Sequence, residues 1–221
     1  MRRSLTPLLS ALVLLAPLAC PADGDTADPV VAWSKHIAGC ARDVFSLEAA
    51  FTQETIHATG KASPTSRGRV RIKRKGLLRI YYDDPPDAVV ACDGTTMRTW
   101  NPETNTVYEM AAERSPLWRA FAFALSDKSS TDLEPRFVGG ARAPGTGEER
   151  GVLELKPPGG STASRIILTV EPSCPPIKRV TIIDRAGTAT RITLDGVRTN
   201  VGMKRELFSF PIPQGAKIVR P

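Results

Sequence analysis

Most of the chain after residue 60 consists of short runs in which apolar and polar residues alternate. The apolar positions of three successive runs are Val70 and Ile72; Leu78, Ile80 and Tyr82; and Ala88, Val90 and Cys92. Alternation with a period of two is typical of a β-strand with one buried face. Turn signals such as Asp93-Gly94 separate the runs and favour antiparallel hairpins. The pattern predicts a mainly β (α+β) domain of about ten or eleven strands.

Two segments have helical spacing instead. Apolar residues recur at steps of four and three from Trp33 to Phe51, which predicts an amphipathic helix over that whole segment.

The strands that we expect near the C-terminus are Thr188–Leu194, Val197–Val201 and Leu207–Phe210. A sheet of this size usually curls or closes, which limits its exposed edges.

The second helix is expected to begin at Ser115-Pro116, where serine suits the N-cap and proline the first helical position. It should end near Ser126-Asp127. Its apolar side is formed by Leu117, Trp118, Phe121, Ala124 and Leu125. Because Phe123 is apolar as well, this helix suits either a core position or a lid over an apolar cavity.

The N-terminus has the pattern of a bacterial secretory signal peptide. Two arginines precede a short apolar run, Leu5–Leu18, and small residues follow it. We expect residues 1–22 to be the signal peptide, 23–32 a linker and 33–221 one domain. No later apolar run approaches the roughly 18 residues of a membrane span, which excludes an integral membrane body.

Cys20 leaves two alternatives open. Cleavage after Ala22 would remove Cys20 and release a soluble periplasmic protein. Pro17-Leu18-Ala19-Cys20 also approximates a lipobox, in which Cys20 would be lipidated and would anchor the chain to a membrane. Its Leu18 lies two places before the cysteine, whereas the usual pattern has leucine three places before it.

Export would place the remaining cysteines, Cys40, Cys92 and Cys174, in an oxidising compartment. Three cysteines allow one internal disulfide, and the sequence does not choose among the three pairings. Their spacing matches no zinc motif, and we expect no metal site. The two histidines, His36 and His57, lie near no nucleophile motif, and no phosphate-binding glycine loop occurs. We therefore expect neither an enzyme nor a bound cofactor.

The segment from Lys61 to Arg79 contains eight basic residues and no acidic one. Since these alternate with apolar residues and lack interleaved aromatics, we expect a solvated strand face rather than a nucleic-acid site. A docking surface for an acidic protein is the alternative. Arg74 has the same parity as Val70 and Ile72, which predicts that it faces inward at a cavity rim. Otherwise it lies in the turn with Lys75-Gly76.

Several short motifs follow one another in an order that resembles a known family. They are Phe51-Thr52-Gln53, Gly68, Ile72-Lys73-Arg74, Leu78-Arg79-Ile80-Tyr81-Tyr82 before Pro85, Asp93-Gly94, Asn101-Pro102, Phe208-Ser209-Phe210 and Pro213-Gln214-Gly215. The ordered set covers most of residues 35–215 and resembles the LolA family of periplasmic carriers of outer-membrane lipoproteins. Lys75 departs from the family, which commonly has proline there.

The resemblance implies a half-open antiparallel β-barrel closed by helices. It implies a monomeric, non-catalytic periplasmic carrier that shields the acyl chains of lipoproteins. Such a carrier takes them from an inner-membrane ABC-type exporter to an outer-membrane acceptor or to the outer membrane itself. The implied alternatives are a membrane-anchored acceptor resembling LolB, a lipid-sensing or regulatory domain, and a scaffold that binds proteins through the basic face.

The resemblance also assigns roles to residues. Arg74 would latch the lid through hydrogen bonds. The acyl-chain cavity would be lined by Val70, Ile72, Leu78, Ile80, Tyr82 and Val90. The lid helix would present Leu117, Trp118, Phe121 and Leu125.

Overall fold

The computed structural model describes residues 28–84, 86–125, 134–145, 150–157, 159, 161 and 163–220. The predicted signal peptide, Cys20 and the first part of the predicted linker lie outside the described residues. Two α-helices are present among these residues, α1 (Pro29–Asp43) and α2 (Pro116–Leu125), with 3-10 helices at Ala112–Arg114 and Arg205–Phe208.

The strands form a single 12-stranded sheet. Their bounds are β1 Ser46–Ile56, β2 Ser66–Lys73, β3 Leu77–Asp84, β4 Val89–Asp93, β5 Thr96–Asn101, β6 Thr106–Ala111, β7 Arg136–Gly140, β8 Gly151–Leu155, β9 Ala163–Val170, β10 Ile177–Asp184, β11 Ala189–Thr199 and β12 Lys217–Val219.

The order of strands in the sheet is β12-β6-β5-β4-β3-β2-β1-β11-β10-β9-β8-β7. All neighbours are antiparallel except β12, which pairs parallel to β6. In the described part of the chain β12 and β7 are the two edges, so the sheet is open and not closed into a barrel. The predicted mainly β, largely antiparallel architecture with two helices is confirmed, with one or two strands more than expected.

The first helix differs from its prediction at both ends. It begins at Pro29, inside the predicted linker, with Asp28 as N-cap accepting from Val30 N at 2.9 Å. It ends at Asp43, and the residues expected to continue it form strand β1. Leu47 and Phe51 are four residues apart, a step that fits one face of a helix and also one face of a strand. Pairing with β2 on one side and β11 on the other decides for the strand.

Three strand predictions near the C-terminus are corrected as well. The two strands expected at Thr188–Leu194 and Val197–Val201 are one continuous strand, β11. The expected strand Leu207–Phe210 is largely a 3-10 helix, because Phe208 is buried against β3 and β4 instead of pairing in the sheet. The short strand β12 was not predicted.

Both helices pack on one face of the sheet. The main core lies between them and the inward side chains of the strands, and includes Trp33, Leu47, Val70, Ile80, Phe121 and Leu168. The 3-10 helix at Arg205–Phe208 contacts the opposite face of β3 and β4. We call these the inner face and the outer face.

Candidate functional site

A cavity of about 650 Å³ lies on the inner face between α2 and the hairpin of β2 and β3. Its lining residues are Ile72, Lys73, Arg74, Lys75, Gly76, Leu77, Leu78, Trp118, Phe121, Ala122 and Leu125. One wall is apolar, and the three consecutive basic residues of the hairpin form another part. The arrangement suits an amphiphile with an apolar tail rather than a small polar substrate.

The cavity brings together residues that the sequence placed in separate groups. Two of the predicted cavity residues, Ile72 and Leu78, line it. Three of the predicted lid residues, Trp118, Phe121 and Leu125, form its opposite wall. Leu117 is partly buried and packs against the core.

The other predicted cavity residues belong to the neighbouring packed core. Val70, Ile80 and Val90 are each at most 5% exposed and belong to the same apolar cluster as Leu78. Tyr82 packs edge-on against Phe51 and donates a 2.9 Å hydrogen bond to Gln53 Oε1. Burial raises the pKa of its phenol to about 12.

Helix α2 begins as the sequence predicts. Pro116 occupies the first position, and Ser115 Oγ accepts from Trp118 N at 3.2 Å. The indole Nε1 of Trp118 donates a 2.9 Å hydrogen bond to Gly76 O, in the turn between β2 and β3. We call residues 74–76 the β2–β3 turn.

Gly76 is required where the turn meets the indole. Its φ is +73°, and a Cβ there would lie 2.7 Å from the Trp118 ring. A side chain at this position would therefore both strain the backbone and push the indole away. The helix and the turn approach each other this closely only because residue 76 is glycine.

Arg74 lies in the turn directly after β2, and its guanidinium reaches the end of α1. Nη2 donates to the carbonyl oxygens of Ala41 and, at 2.6 Å, of Arg42. Nε donates to Val44 O at 3.3 Å. A cation at a helix C-terminus satisfies carbonyls that have no partner inside the helix. These bonds join the cavity rim to α1, whereas the expected latch would have bound α2.

Helix α1 is fixed at further points. Cys40 forms a disulfide with Cys174, in the loop between β9 and β10. Trp33 Nε1 donates a 2.8 Å hydrogen bond to Ala141 O, just after β7. The α1 helix is therefore tied covalently to the sheet, whereas the bond from α2 to the β2–β3 turn is a single hydrogen bond.

The remaining cysteine of the described residues, Cys92, is a buried free thiol. It pairs with Leu78 across β3 and β4, so the two side chains lie side by side on the inner face. Burial raises the pKa of the thiol to about 11, so at neutral pH it is protonated and inert while it remains covered.

The basic outer face is only partly the solvated surface expected from the sequence. Arg67 and Arg69 are exposed. Arg71 instead donates to the buried carboxylate of Glu48, to which Arg198 also donates. The two hydrogen bonds, the one from Arg71 having the larger effect, lower the pKa of Glu48 from its ordinary value of 4.5. Arg79 lies over the rings of Tyr81 and Phe210.

Five lining residues were not among the predicted cavity, latch or lid residues: Lys73, Lys75, Gly76, Leu77 and Ala122. Ala122 lies one helical turn after Trp118, so the spacing of α2 contained a signal for it. No signal in the sequence indicated the contact between Gly76 and the indole of Trp118, which lies 42 residues later. No helix of the described residues is long and apolar enough to cross a membrane.

The sequence model of the family described as "Outer membrane lipoprotein carrier protein LolA" matches residues 42–211. The chain belongs to the LolA family. The matched segment includes the β2–β3 turn, α2 and every residue that lines the cavity.

Curated LolA-family relatives agree in name and in extent. The outer-membrane lipoprotein carrier protein of Pseudomonas putida strain W619 is 26% identical over 184 residues, covering 79% of this chain and 80% of its own length. The protein of the same name from Cupriavidus necator is 28% identical over 185 residues, covering 80% and 82%.

Solved structures show a more distant likeness. An uncharacterised conserved protein from Thermus thermophilus superposes with a TM-score of 0.49 at 12% identity, covering 86% of this chain and 99% of its own. A LolA-superfamily protein from Nitrosomonas europaea superposes with a TM-score of 0.45 at 12% identity, covering 80% and 97%.

Proposed function

We propose that this protein is a periplasmic carrier that holds the acyl chains of lipoproteins in the cavity beneath α2 and transfers them from the inner to the outer membrane. The observation that carries the proposal is the cavity of about 650 Å³ with an apolar wall from α2 and another from β2 and β3. Family membership supports the same function, since the matching family is described as lipoprotein carriers.

Acyl chains need such a shelter on physical grounds. Each methylene moved from water to an apolar site gains about 0.8 kcal/mol. A lipoprotein with several long chains therefore does not leave a membrane unless another apolar surface receives them. The cavity volume lies within the range of about 300–1,000 Å³ found for ligand pockets. Carriage of this kind needs no catalytic group and no cofactor.

Helix α2 is the lid in this proposal, and the bond from Trp118 to Gly76 is its latch. Opening α2 would break this hydrogen bond and separate Phe121 and Leu125 from the core, which would bare the inward side chains of β2–β4. Val70, Ile80, Tyr82 and Val90 would then extend the binding surface beyond the present cavity. Arg74 would hold α1 in place beside the moving lid, so its part in lid closure is indirect.

The partners follow from the same proposal. An inner-membrane ABC-type exporter would supply acylated lipoproteins, and an outer-membrane acceptor or the outer membrane itself would receive them. The signal-peptide pattern at residues 1–22 supports a periplasmic location. A soluble monomer suits this traffic, since the carrier must leave one membrane to reach the other.

A lipopeptide-binding experiment tests the proposal. Ala122 lines the cavity and is half-exposed, so Ala122→Phe would fill the cavity with little effect on folding. Ala186, in the exposed hairpin loop between β10 and β11, offers the matched control Ala186→Phe. A fluorescent triacylated lipopeptide should bind the wild type and Ala186→Phe, and bind Ala122→Phe at least several-fold more weakly. Equal binding by all three proteins would exclude the cavity as the acyl site.

Cys20 supports a second candidate, a membrane-anchored lipoprotein acceptor or lipid-sensing domain of the same fold. The observation that favours this candidate is the segment Pro17-Leu18-Ala19-Cys20, which approximates a lipobox. Mass spectrometry of the mature protein separates the two. A free N-terminus near residue 23 supports the soluble carrier, whereas a diacylglyceryl group on Cys20 supports the anchored form.

A further inference from the structure

We infer that this protein docks on an anionic phospholipid surface through the edge formed by residues 42–46, 73–75 and 200–206, with the ring of Phe45 entering the interface. We call these three segments the docking edge. Residues 73–75 also line the cavity, so docking would bring the cavity to the membrane. This purpose of docking rests on the proposed carrier function. The docking edge itself is defined by hydrogen bonds, exposure and charge that do not depend on that function.

Hydrogen bonds hold the three segments of the docking edge together. Arg74 N donates to Phe45 O at 3.0 Å, and Phe45 N donates to Asn200 Oδ1 at 3.0 Å. Lys73 Nζ donates to Met203 O at 2.7 Å. The side chains of the edge are therefore presented from a fixed backbone, and docking would not have to order a loose loop.

Phe45 is an apolar side chain held out of the core at this edge. It is 47% exposed, although its neighbours Val44 and Ser46 are buried. A single exposed apolar residue is ordinary on a protein surface. Phe45 differs because its backbone is hydrogen-bonded to Arg74 and to Asn200, and because the three joined segments carry more basic than acidic residues.

The docking edge carries six basic and two acidic residues. The basic ones are Arg42, Lys73, Arg74, Lys75, Lys204 and Arg205, and the acidic ones are Asp43 and Glu206. Arg42, Lys75, Lys204 and Arg205 are exposed to solvent. The net positive charge complements the phosphates of an anionic membrane surface.

The combination of ring and charges favours a membrane over an acidic protein. Lysine and arginine stay at the headgroup level, while an aromatic ring enters the boundary with the acyl region. Docking in this way would bring the basic part of the cavity lining close to the headgroups. An acyl chain would then have a shorter path through water during transfer.

Vesicle co-sedimentation of the full mature chain tests the inference. One set of vesicles contains phosphatidylglycerol in phosphatidylcholine, and the other contains phosphatidylcholine alone. The test variants are Phe45→Ser and Lys75→Asn, the latter because asparagine tolerates the φ of 71° at this position. The matched controls are Val138→Ser, which removes another exposed apolar residue, and Arg185→Gln, which removes a charge from the hairpin between β10 and β11.

The wild type and both controls should bind the anionic vesicles, and added salt should weaken the binding. Lys75→Asn should bind about fivefold more weakly, as expected for one basic residue near an anionic surface. Phe45→Ser should also reduce binding. The inference is overturned if the wild type sediments with neither vesicle, if it prefers neither, or if both test variants bind like the controls. Binding to an acidic protein without binding to vesicles also overturns it.

A fluorescent lipopeptide assay without vesicles keeps the two proposals distinguishable. Lipopeptide binding without vesicle binding would refute the docking edge and leave the carrier function standing. Vesicle binding without lipopeptide binding would refute the carrier function while the docking edge stands.

Discussion

Trp118 Nε1 donates a 2.9 Å hydrogen bond to Gly76 O, and this contact ties α2 to the β2–β3 turn across the rim of the cavity. Arg74, two residues before Gly76, is bonded to the end of α1. One turn thus holds both helices, but by different means. The disulfide of Cys40 fixes α1 in addition, whereas α2 is held by its apolar packing and by this hydrogen bond, with no covalent link.

Removing the latch should open the lid more often. Trp118→Phe deletes the donor and keeps an aromatic ring in the cavity wall. Loss of one such bond should raise the open population about two- to tenfold. Cys92 reports opening, since it is fully buried beside Leu78 on the inner face. In a Cys20→Ser background, maleimide labelling of native protein should be faster in Trp118→Phe by that factor.

A second tryptophan supplies the control for this measurement. Trp100 Nε1 lies 3.4 Å from Asn105 Oδ1, away from the cavity. Trp100→Phe should leave the labelling rate of Cys92 unchanged. If both variants label Cys92 at the wild-type rate, the bond from Trp118 to Gly76 is not a latch.

Replacing Arg74 should destabilise the fold. Arg74→Met removes a charged donor from the carbonyls of Ala41, Arg42 and Val44, which end α1. We expect the free energy of unfolding to fall by about 1.5–3 kcal/mol, measured by urea titration. Arg69→Met, on the exposed part of the outer face, should change it by less than about 0.5 kcal/mol. Equal stability of the two variants would contradict the capping role of Arg74.

The disulfide should contribute strongly to stability because it joins residues 134 positions apart. Reduction should lower the free energy of unfolding by about 2–5 kcal/mol. The double variant Cys40→Ala/Cys174→Ala should start from the lower value and should not respond to dithiothreitol. A wild-type protein that is equally stable with and without the reductant would show that the bond does not stabilise the fold.

Glu48 should give the fold a defined pH dependence. Hydrogen bonds from Arg71 and Arg198 hold its pKa below 4.5 in the folded state. The stabilisation is therefore complete above about pH 4.5 and is lost as the pH falls through the folded-state value. Glu48→Gln should be less stable than the wild type at pH 7, and the difference should shrink at pH 3.

Urea unfolding at the two pH values measures this effect. The matched control is Glu54→Gln on the same strand, because Glu54 is 48% exposed and its bridge to Arg191 is solvated. Its difference from the wild type should be small at pH 7. A Glu48→Gln deficit that is as large at pH 3 as at pH 7 would contradict the account.

The hairpins were predictable because their signals are local. Asp93-Gly94 forms a hairpin turn in which Asp93 Oδ1 accepts from Thr95 N and Thr96 N at 2.9 Å. Ser115 caps α2 for the same reason, since capping depends on residues only a few positions apart. The prediction of the first helix was wrong at Leu47 and Phe51, because a step of four residues fits both a helix and a strand. Only the pairing with strands distant in sequence decides that these residues form a strand.

The candidate site was predictable in its chemistry more than in its contacts. Period-two counting placed Ile72 and Leu78 inward, and helical spacing placed Trp118 and Phe121 on one side of α2. The carbonyl oxygens to which Arg74 donates are those at the end of α1. The helix was predicted to end at Phe51, eight residues after its observed end at Asp43. The pairing of Cys40 with Cys174 likewise depends on the packing of α1 beside the loop after β9.

The central claim is that acyl chains occupy the space between α2 and the β2–β3 hairpin. A triacylated lipopeptide with a photoreactive group at the end of one acyl chain tests it most directly, with peptide mapping of the adducts by mass spectrometry. We predict adducts on Ile72, Leu78, Trp118, Phe121 and Leu125, which line the cavity, and their loss in Ala122→Phe. Adducts confined to the outer face, or an unchanged pattern in Ala122→Phe, would contradict the account.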